Sequence, residues 1–202
     1  MSFDTAAQAL MQAGRQLYGL GMVPATSGNF SARLEDSSIA ITVSGCHKGH
    51  LESADIMQVS AAGQSLDGRC PSAETGLHVQ IYQRVSEAGA ILHPHSIHAT
   101  LLSKRLDGPL ELTDYELLKA FPGINTHDAR MVVPVFNNDQ DIERLAADID
   151  AWMDSSEAIH GYLIRGHGFY TWGATVADAM RHVEAFDFLF RCELMHHGVV
   201  LQ

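Results

Sequence analysis

The sequence predicts a layered α/β protein whose sheet contains antiparallel neighbours. Three observations carry this prediction. Apolar residues recur at helical spacing near both ends of the chain, short β-like runs in the first third are joined by tight polar turns, and a helix runs through Gly89 into a strand. At 202 residues the chain suits one compact domain, residues 1–202, able to bury roughly 70% of its unfolded surface.

The elements follow in order. Phe3, Ala6, Ala7, Leu10, Met11, Leu17 and Tyr18 mark an amphipathic first helix rather than a basic leader followed by an apolar block. Gly21 and Pro24 make the next segment a loop, and the runs 29–34 and 39–43, separated by the polar turn 35–38, predict a β-hairpin. Residues 56–60 and 64–66 bracket Ala61, Ala62 and Gly63 as a second hairpin-like pair. Pro71 and Ser72 predict a helix over 72–85 with Ser72 as N-cap, and Gly89 closes it before a strand at 90–93. The stretch 96–123 predicts two helices split at Asp107, Gly108 and Pro109. A β-rich run at 131–136, a helix over 140–153 and strands at 159–164 and 169–172 come next. The last helix starts after Thr175, with Asp178 in capping-box position and Val176, Met180, Val183, Phe186, Phe190 and Leu194 as its buried stripe.

Composition narrows the function. Only 13 Lys and Arg stand against 24 Asp and Glu, a net charge of −11, so no broad basic face is available for nucleic acid or an anionic membrane. No apolar run approaches the ~18 residues of a membrane span. Cys46, Cys70 and Cys192 are odd in number and scattered, which points to a reducing, cytoplasmic setting rather than a disulfide framework.

The unusual count is 12 histidines in a chain with three lysines. His93 and His95 sit at the end of a predicted strand, where residues two apart share a face and can share one ion. A catalytic zinc-like site takes three protein donors and leaves one position open. His167, between Gly166 and Gly168 in a turn, is the first candidate for the third donor, and His127 in a polar loop is its rival. Two Gly-containing stretches, Thr26–Asn29 and Ser44–Gly49, supply hydroxyls, exposed N–H groups and Lys48, and with Ser72 they could close on a phosphate. Glu74 near a helix start and Glu116 on a helix face are carboxylates available for acid/base work.

Thr26, Ser27, Gly28 and Asn29, then Val43, Ser44 and Gly45, then Pro71 to Glu74, then His93, Pro94 and His95, and finally Gly166, His167 and Gly168 occur in one order along nearly the whole chain. That ordered set resembles the class II aldolase family. The resemblance implies a three-layer α/β/α domain with a largely antiparallel, mixed central sheet, assembled as a homotetramer with active sites near subunit contacts. It implies one Zn²⁺ per subunit on His93, His95 and His167, and a sugar phosphate held by Thr26, Gly28, Asn29, Ser44, Gly45 and Ser72, with Lys48 assisting. Glu74 matches the aldolases' catalytic glutamate, and Glu116 matches the acid/base carboxylate of the family's dehydratases. Gly166 and Ala73 stand where the common aldolase pattern has Asn and a second Ser. Together with Ser44–Gly49, Tyr115–Lys119, Asn125–Asp128 and the run from Val133 to Asp141, this makes the chain most similar to the dehydratase branch. The expected activity is loss of water from a ketose phosphate. A sugar-phosphate aldolase or epimerase is the alternative, and a non-catalytic adaptor on the same scaffold is the third.

Overall fold

The computed structural model describes residues 1–155 and 158–198. Its helices are α1 (Phe3–Gly19), α2 (Thr75–Arg84), α3 (Ile97–Arg105), α4 (Ile142–Ser155) and α5 (Val176–His196). Its strands are β1 (Asn29–Arg33), β2 (Ile39–Thr42), β3 (Ile56–Val59), β4 (Ala90–His93), β5 (Leu110–Thr113), β6 (Arg130–Val133), β7 (Val135–Phe136), β8 (Gly161–Ile164) and β9 (Gly168–Gly173). Seven strands form one sheet in the order β3-β2-β1-β4-β9-β8-β7, and β5 and β6 form a separate pair. Every pairing is antiparallel except β7 with β8, so the sheet is mixed, as expected.

Period-two alternation divides the strands between two cores. Phe30 and Ala32, Ala90 and Leu92, Leu163 and Phe169 face one side, where α1, α3 and α5 pack with the β5–β6 pair. Ile39 and Ile41, Ile91, Tyr162, Tyr170 and Trp172 face the other, covered by α2 and α4. The predicted α5 stripe is buried from Val176 to Leu194. Within it Phe186 lies 4.5 Å from Phe121 and 5.4 Å from Phe190, ring centre to ring centre. Burial of each such ring contributes about 1.5–3 kcal/mol. Thr175 caps this helix by accepting from the Asp178 N–H at 3.1 Å, and Ser2 does the same for α1 from Thr5 at 3.3 Å.

Four local expectations need correction. Helix α2 starts at Thr75 with Glu74 at the N-cap position, so Ser72 is not the cap. Its hydroxyl instead accepts the Glu74 N–H at 3.4 Å, because Val43 bridges Pro71 and holds this stretch extended. The second helix expected before Gly123 is strand β5 followed by a 3₁₀ turn at Glu116–Ala120. Leu110 and Leu112 are buried while Glu111 and Thr113 are exposed, a period of two that outweighed helical propensity. Residues 64–66 do turn back on β3, with Ser60 N–H donating to Gln64 O at 2.8 Å and Leu66 N–H to Gln58 O at 3.0 Å, but the pairing is a single bridge, Ser65 to Val59, rather than a second strand. The 131–136 run divides at Pro134, which lacks a donor and ends β6 before β7 joins the large sheet.

His160 and His182 flank the Phe121 ring at 5.3 and 5.0 Å. Burial holds the His160 pKa down at about 4, and burial lowers that of His182 as well. An unfolded histidine binds its proton near pH 6.5. Between that pH and about 4 the unfolded chain therefore binds more protons, so stability is full above 6.5 and falls as the pH drops through this window. Urea midpoints measured from pH 7 to 4 should decline accordingly, and His160→Gln should flatten the slope; an unchanged slope would contradict this assignment.

Candidate active site

His93 ends β4, and His95 lies beyond the strand, past Pro94. Although only His93 belongs to the strand, the two imidazoles meet, as expected. His95 is turned in because its N–H donates to Met22 O at 2.8 Å, while Pro94 O accepts the Phe169 N–H at 3.2 Å. His167 occupies the turn between β8 and β9 and completes the group. One nitrogen from each of the three lies within 4.8 Å of the others, and among the described residues this is the one group of three or more metal-ligating side chains so placed.

The donor set fits a metal ion. His93 Nδ1 donates to Phe169 O at 2.9 Å, which leaves Nε2 bare, and that nitrogen faces His95 Nε2 at 2.8 Å. The two Nε2 atoms thus converge, and a cation would take a lone pair from each with the His95 proton on Nδ1. Burial, reinforced by the neighbouring histidines, pushes the His95 pKa down to about 3 and that of His93 well below its usual value. Both rings thus stay neutral, the state in which imidazole ligates. His167 Nδ1 is buried without a hydrogen-bond partner.

Glu74 stands directly over this trio. Its Oε2 accepts from Asn29 Nδ2 at 2.6 Å and from the Tyr170 hydroxyl at 3.0 Å. Its Oε1 lies 3.6 Å from His167 Nε2, and Oε2 lies 3.4 Å from His93 Nε2. Two donors hold Oε2, no donor among the described residues holds Oε1, and both oxygens lie beside the histidine group. Burial and the Glu74 charge raise the Tyr170 pKa well above its ordinary value, so the phenol remains a donor.

A cavity of about 380 Å³ opens on these groups. Glu74, His95 and His167 line it at the metal end, and Thr26, Gly28, Asn29, Ser44, Gly45 and Ser72 line it beyond. Every residue expected to hold a phosphate therefore reaches one pocket. Gly28 adopts φ +79°, and a Cβ there would meet His93 O at 2.7 Å, so the Thr26–Asn29 loop lies directly on the metal strand. Lys48 also lines the pocket, but its ammonium is spoken for: it donates to Thr26 O at 3.1 Å and Cys46 O at 2.6 Å, tying the Thr26–Asn29 and Ser44–Gly49 loops together. Burial lowers its pKa.

Glu116 is not brought to this pocket within one chain. It is exposed and paired with Lys119 at 2.7 Å. His127 is likewise exposed, 2.8 Å from Asp128, and takes no part in the metal group. Sequence reasoning missed Tyr170 and the wall formed by Asn138, Asp139, Gln140 and Ile142. Arg144 clamps that wall through Asp139 at 2.5 and 2.7 Å. The polar run before α4 was the available signal, but such a run equally describes any helix-capping loop.

Known proteins resemble this chain in sequence and fold. A methylthioribulose-1-phosphate dehydratase of Methylococcus capsulatus is 61% identical over 197 residues, covering 98% of this chain and 97% of its own. One from Pseudomonas syringae pv. syringae is 52% identical over 202 residues, with 99% of each chain covered. The crystal structure of L-fuculose-1-phosphate aldolase from Thermus thermophilus superimposes with a TM-score of 0.77 at 26% identity, covering 97% of both chains. The profile of the Class II Aldolase and Adducin N-terminal domain matches residues 8–194, which include every pocket and metal residue described above. With the ordered motifs, the mixed sheet and the histidine trio all in place, this chain belongs to the class II aldolase family.

Proposed function

We propose that this chain removes water from 5-methylthioribulose 1-phosphate to give 2,3-diketo-5-methylthiopentyl 1-phosphate, a lyase step of methionine salvage. The carrying observation is the 61% identity over nearly full length to a dehydratase of that substrate. The pocket, with a hydroxyl- and N–H-lined end and a metal end, supports it. On this reading residues 1–202 act as one cytoplasmic domain, assembled as a homotetramer with one Zn²⁺ per subunit.

His93, His95 and His167 would hold the ion, which supplies Lewis acidity where negative charge builds on the ketose oxygens. The phosphate lies against Thr26, Gly28, Asn29, Ser44, Gly45 and Ser72, where hydroxyls and backbone N–H groups replace the scarce lysines. Glu74 takes the proton from C3 through Oε1, the oxygen left free by Asn29 and Tyr170. The C3–H electrons form a C2–C3 double bond with the charge on the C2 oxygen. As the C2 carbonyl re-forms, that pair moves to C3–C4, the C4–O bond breaks, and the departing hydroxide takes a proton to leave as water. The C3 enol then gains a proton at C4 and loses the one on its oxygen to give the 2,3-diketone. Glu116 supplies the departing hydroxide's proton in a neighbouring subunit's pocket, since it lies outside the pocket of its own chain.

Incubation with the substrate should yield a product lighter by one water, whereas release of two- or three-carbon fragments would mark an aldolase instead. Glu116→Gln should lose about 10²- to 10⁴-fold in kcat as an acid/base residue. Mixing it with His95→Ala subunits should restore measurable activity, because each hybrid can assemble an intact site. Failure of mixed subunits to recover activity would place Glu116 outside the chemistry of its neighbour.

A further inference from the structure

The Glu74 carboxylate is the end of a longer buried chain. Asn29 and Ser31 are alternate residues of β1, on the face covered by α2, and α2 carries His78 and Tyr82 one turn apart. His78 Nε2 is hydrogen-bonded to Asn29 Oδ1, His78 Nδ1 lies 2.7 Å from Ser31 Oγ, and Ser31 Oγ lies 2.9 Å from the Tyr82 hydroxyl. His78 is fully buried and does not line the pocket.

We propose that His78 is a positioning residue for Glu74, fixing the Asn29 amide so that its N–H always faces the carboxylate. The donor directions leave one solution. An ionised Glu74 can only accept, so Asn29 must present Nδ2 to it and turn Oδ1 toward His78. Oδ1 can only accept, so His78 carries its proton on Nε2. Its Nδ1 is then bare and accepts from the Ser31 hydroxyl, which in turn accepts from Tyr82. All four bonds point toward Glu74, an arrangement in which each bond polarises the next. Burial keeps His78 neutral, with its pKa lowered to about 4, as this pattern requires. Without the Nε2 donor, Asn29 Oδ1 would be buried and unpaired, or the amide would flip and set its oxygen against Glu74 Oε2. Either outcome unfixes Oε2 and with it the orientation of Oε1, the oxygen that takes the proton. His78 touches no reacting atom and acts only through Asn29.

The inference rests on Glu74 being the proton acceptor of the proposed dehydration, and its test separates the two ideas. In zinc-loaded protein labelled with ¹⁵N-histidine, His78 should show the neutral tautomer protonated at Nε2; protonation at Nδ1, or on both nitrogens at neutral pH, overturns the proposal whether or not any substrate is turned over. His78→Leu should lower kcat about 10- to 100-fold, the worth of a hydrogen bond to a charged group, with KM within about threefold and zinc content unchanged. His78→Gln, whose amide N–H can stand where Nε2 stood, should recover most of that loss. If Leu and Gln variants lose equally, or neither loses, the positioning role is wrong. Should the Leu variant not fold, Ser31→Ala carries the test, because removing the donor to Nδ1 should release the tautomer and cost kcat several-fold. A wild-type protein that shows the expected tautomer but dehydrates no ketose phosphate would defeat the functional reading alone.

Discussion

His95→Ala is expected to leave a folded protein that no longer retains zinc and whose kcat/KM falls by about 10³-fold or more, the scale on which electrostatic stabilisation of a developing oxyanion operates. The fold should survive because His95 lies outside β4, in a connection held by backbone bonds from Met22 and Phe169 that alanine retains. Its imidazole is the partner of His93 Nε2 at 2.8 Å, and without it two nitrogen donors remain. Metal analysis after dialysis, with circular dichroism as the control for folding, measures both halves of the expectation. Chelator-stripped wild type should regain activity when zinc is returned, and the variant should not. A His95→Ala protein with stoichiometric zinc and full turnover would remove the trio from the chemistry.

Gly168→Ala should be nearly as damaging although it deletes no ligand. A Cβ at this position would meet Pro94 O at 2.3 Å, His95 Cδ2 at 3.1 Å and His93 Cε1 at 3.2 Å. The first contact is backbone, and it cannot yield without breaking the Phe169 N–H to Pro94 O bond that ties β9 to the metal strand. Overpacking of this kind costs about 1–3 kcal/mol. The displaced Pro94 lies between two metal donors, so zinc affinity should fall about 10- to 100-fold, as it does when a group that orients a ligand is lost. Gly108→Ala is the matched control, since nothing lies within 4 Å of a Cβ there. Urea midpoints and competitive zinc titration of the two variants give the comparison; equal behaviour would show that the strand absorbs the methyl group.

That the three histidines meet and that the two Gly-containing loops line one cavity was legible because the signals are local: histidines two apart, Gly-containing turns between strands, and an ordered set of short motifs. What failed was also local. Leu110 and Leu112 were too short a run for their period of two to stand out, and strand β5 took the place of a helix. Glu74 shows the deeper limit. From spacing alone an acid at a helix start merely complements the helix dipole. Its actual surroundings are Asn29, 45 residues earlier, and Tyr170, 96 residues later. Such partners are set by which strands lie side by side, here β1 and β4 with Asn29 opposite His93, and β9 beyond. No periodicity within one segment encodes that order. Glu116 marks a different boundary: its motif was visible, but the fold leaves it exposed beside Lys119 and away from its own chain's pocket.

The break at Pro134 divides the architecture in two. On one side of it β6 pairs only with β5, and on the other β7 enters the seven-stranded sheet through β8. The excursion from Thr113 to Arg130, which carries Glu116, is therefore a loop grafted onto a two-stranded stem. Its attachment to the main body runs through Leu110, Leu112, Leu118 and Phe121, all buried in the α5-side core. Provided those anchors are kept, the excursion can lengthen, shorten or exchange its polar residues without shifting the register of any strand that bears a histidine. The cavity and the excursion that carries Glu116 are thus separate units of the architecture, joined outside the seven-stranded sheet.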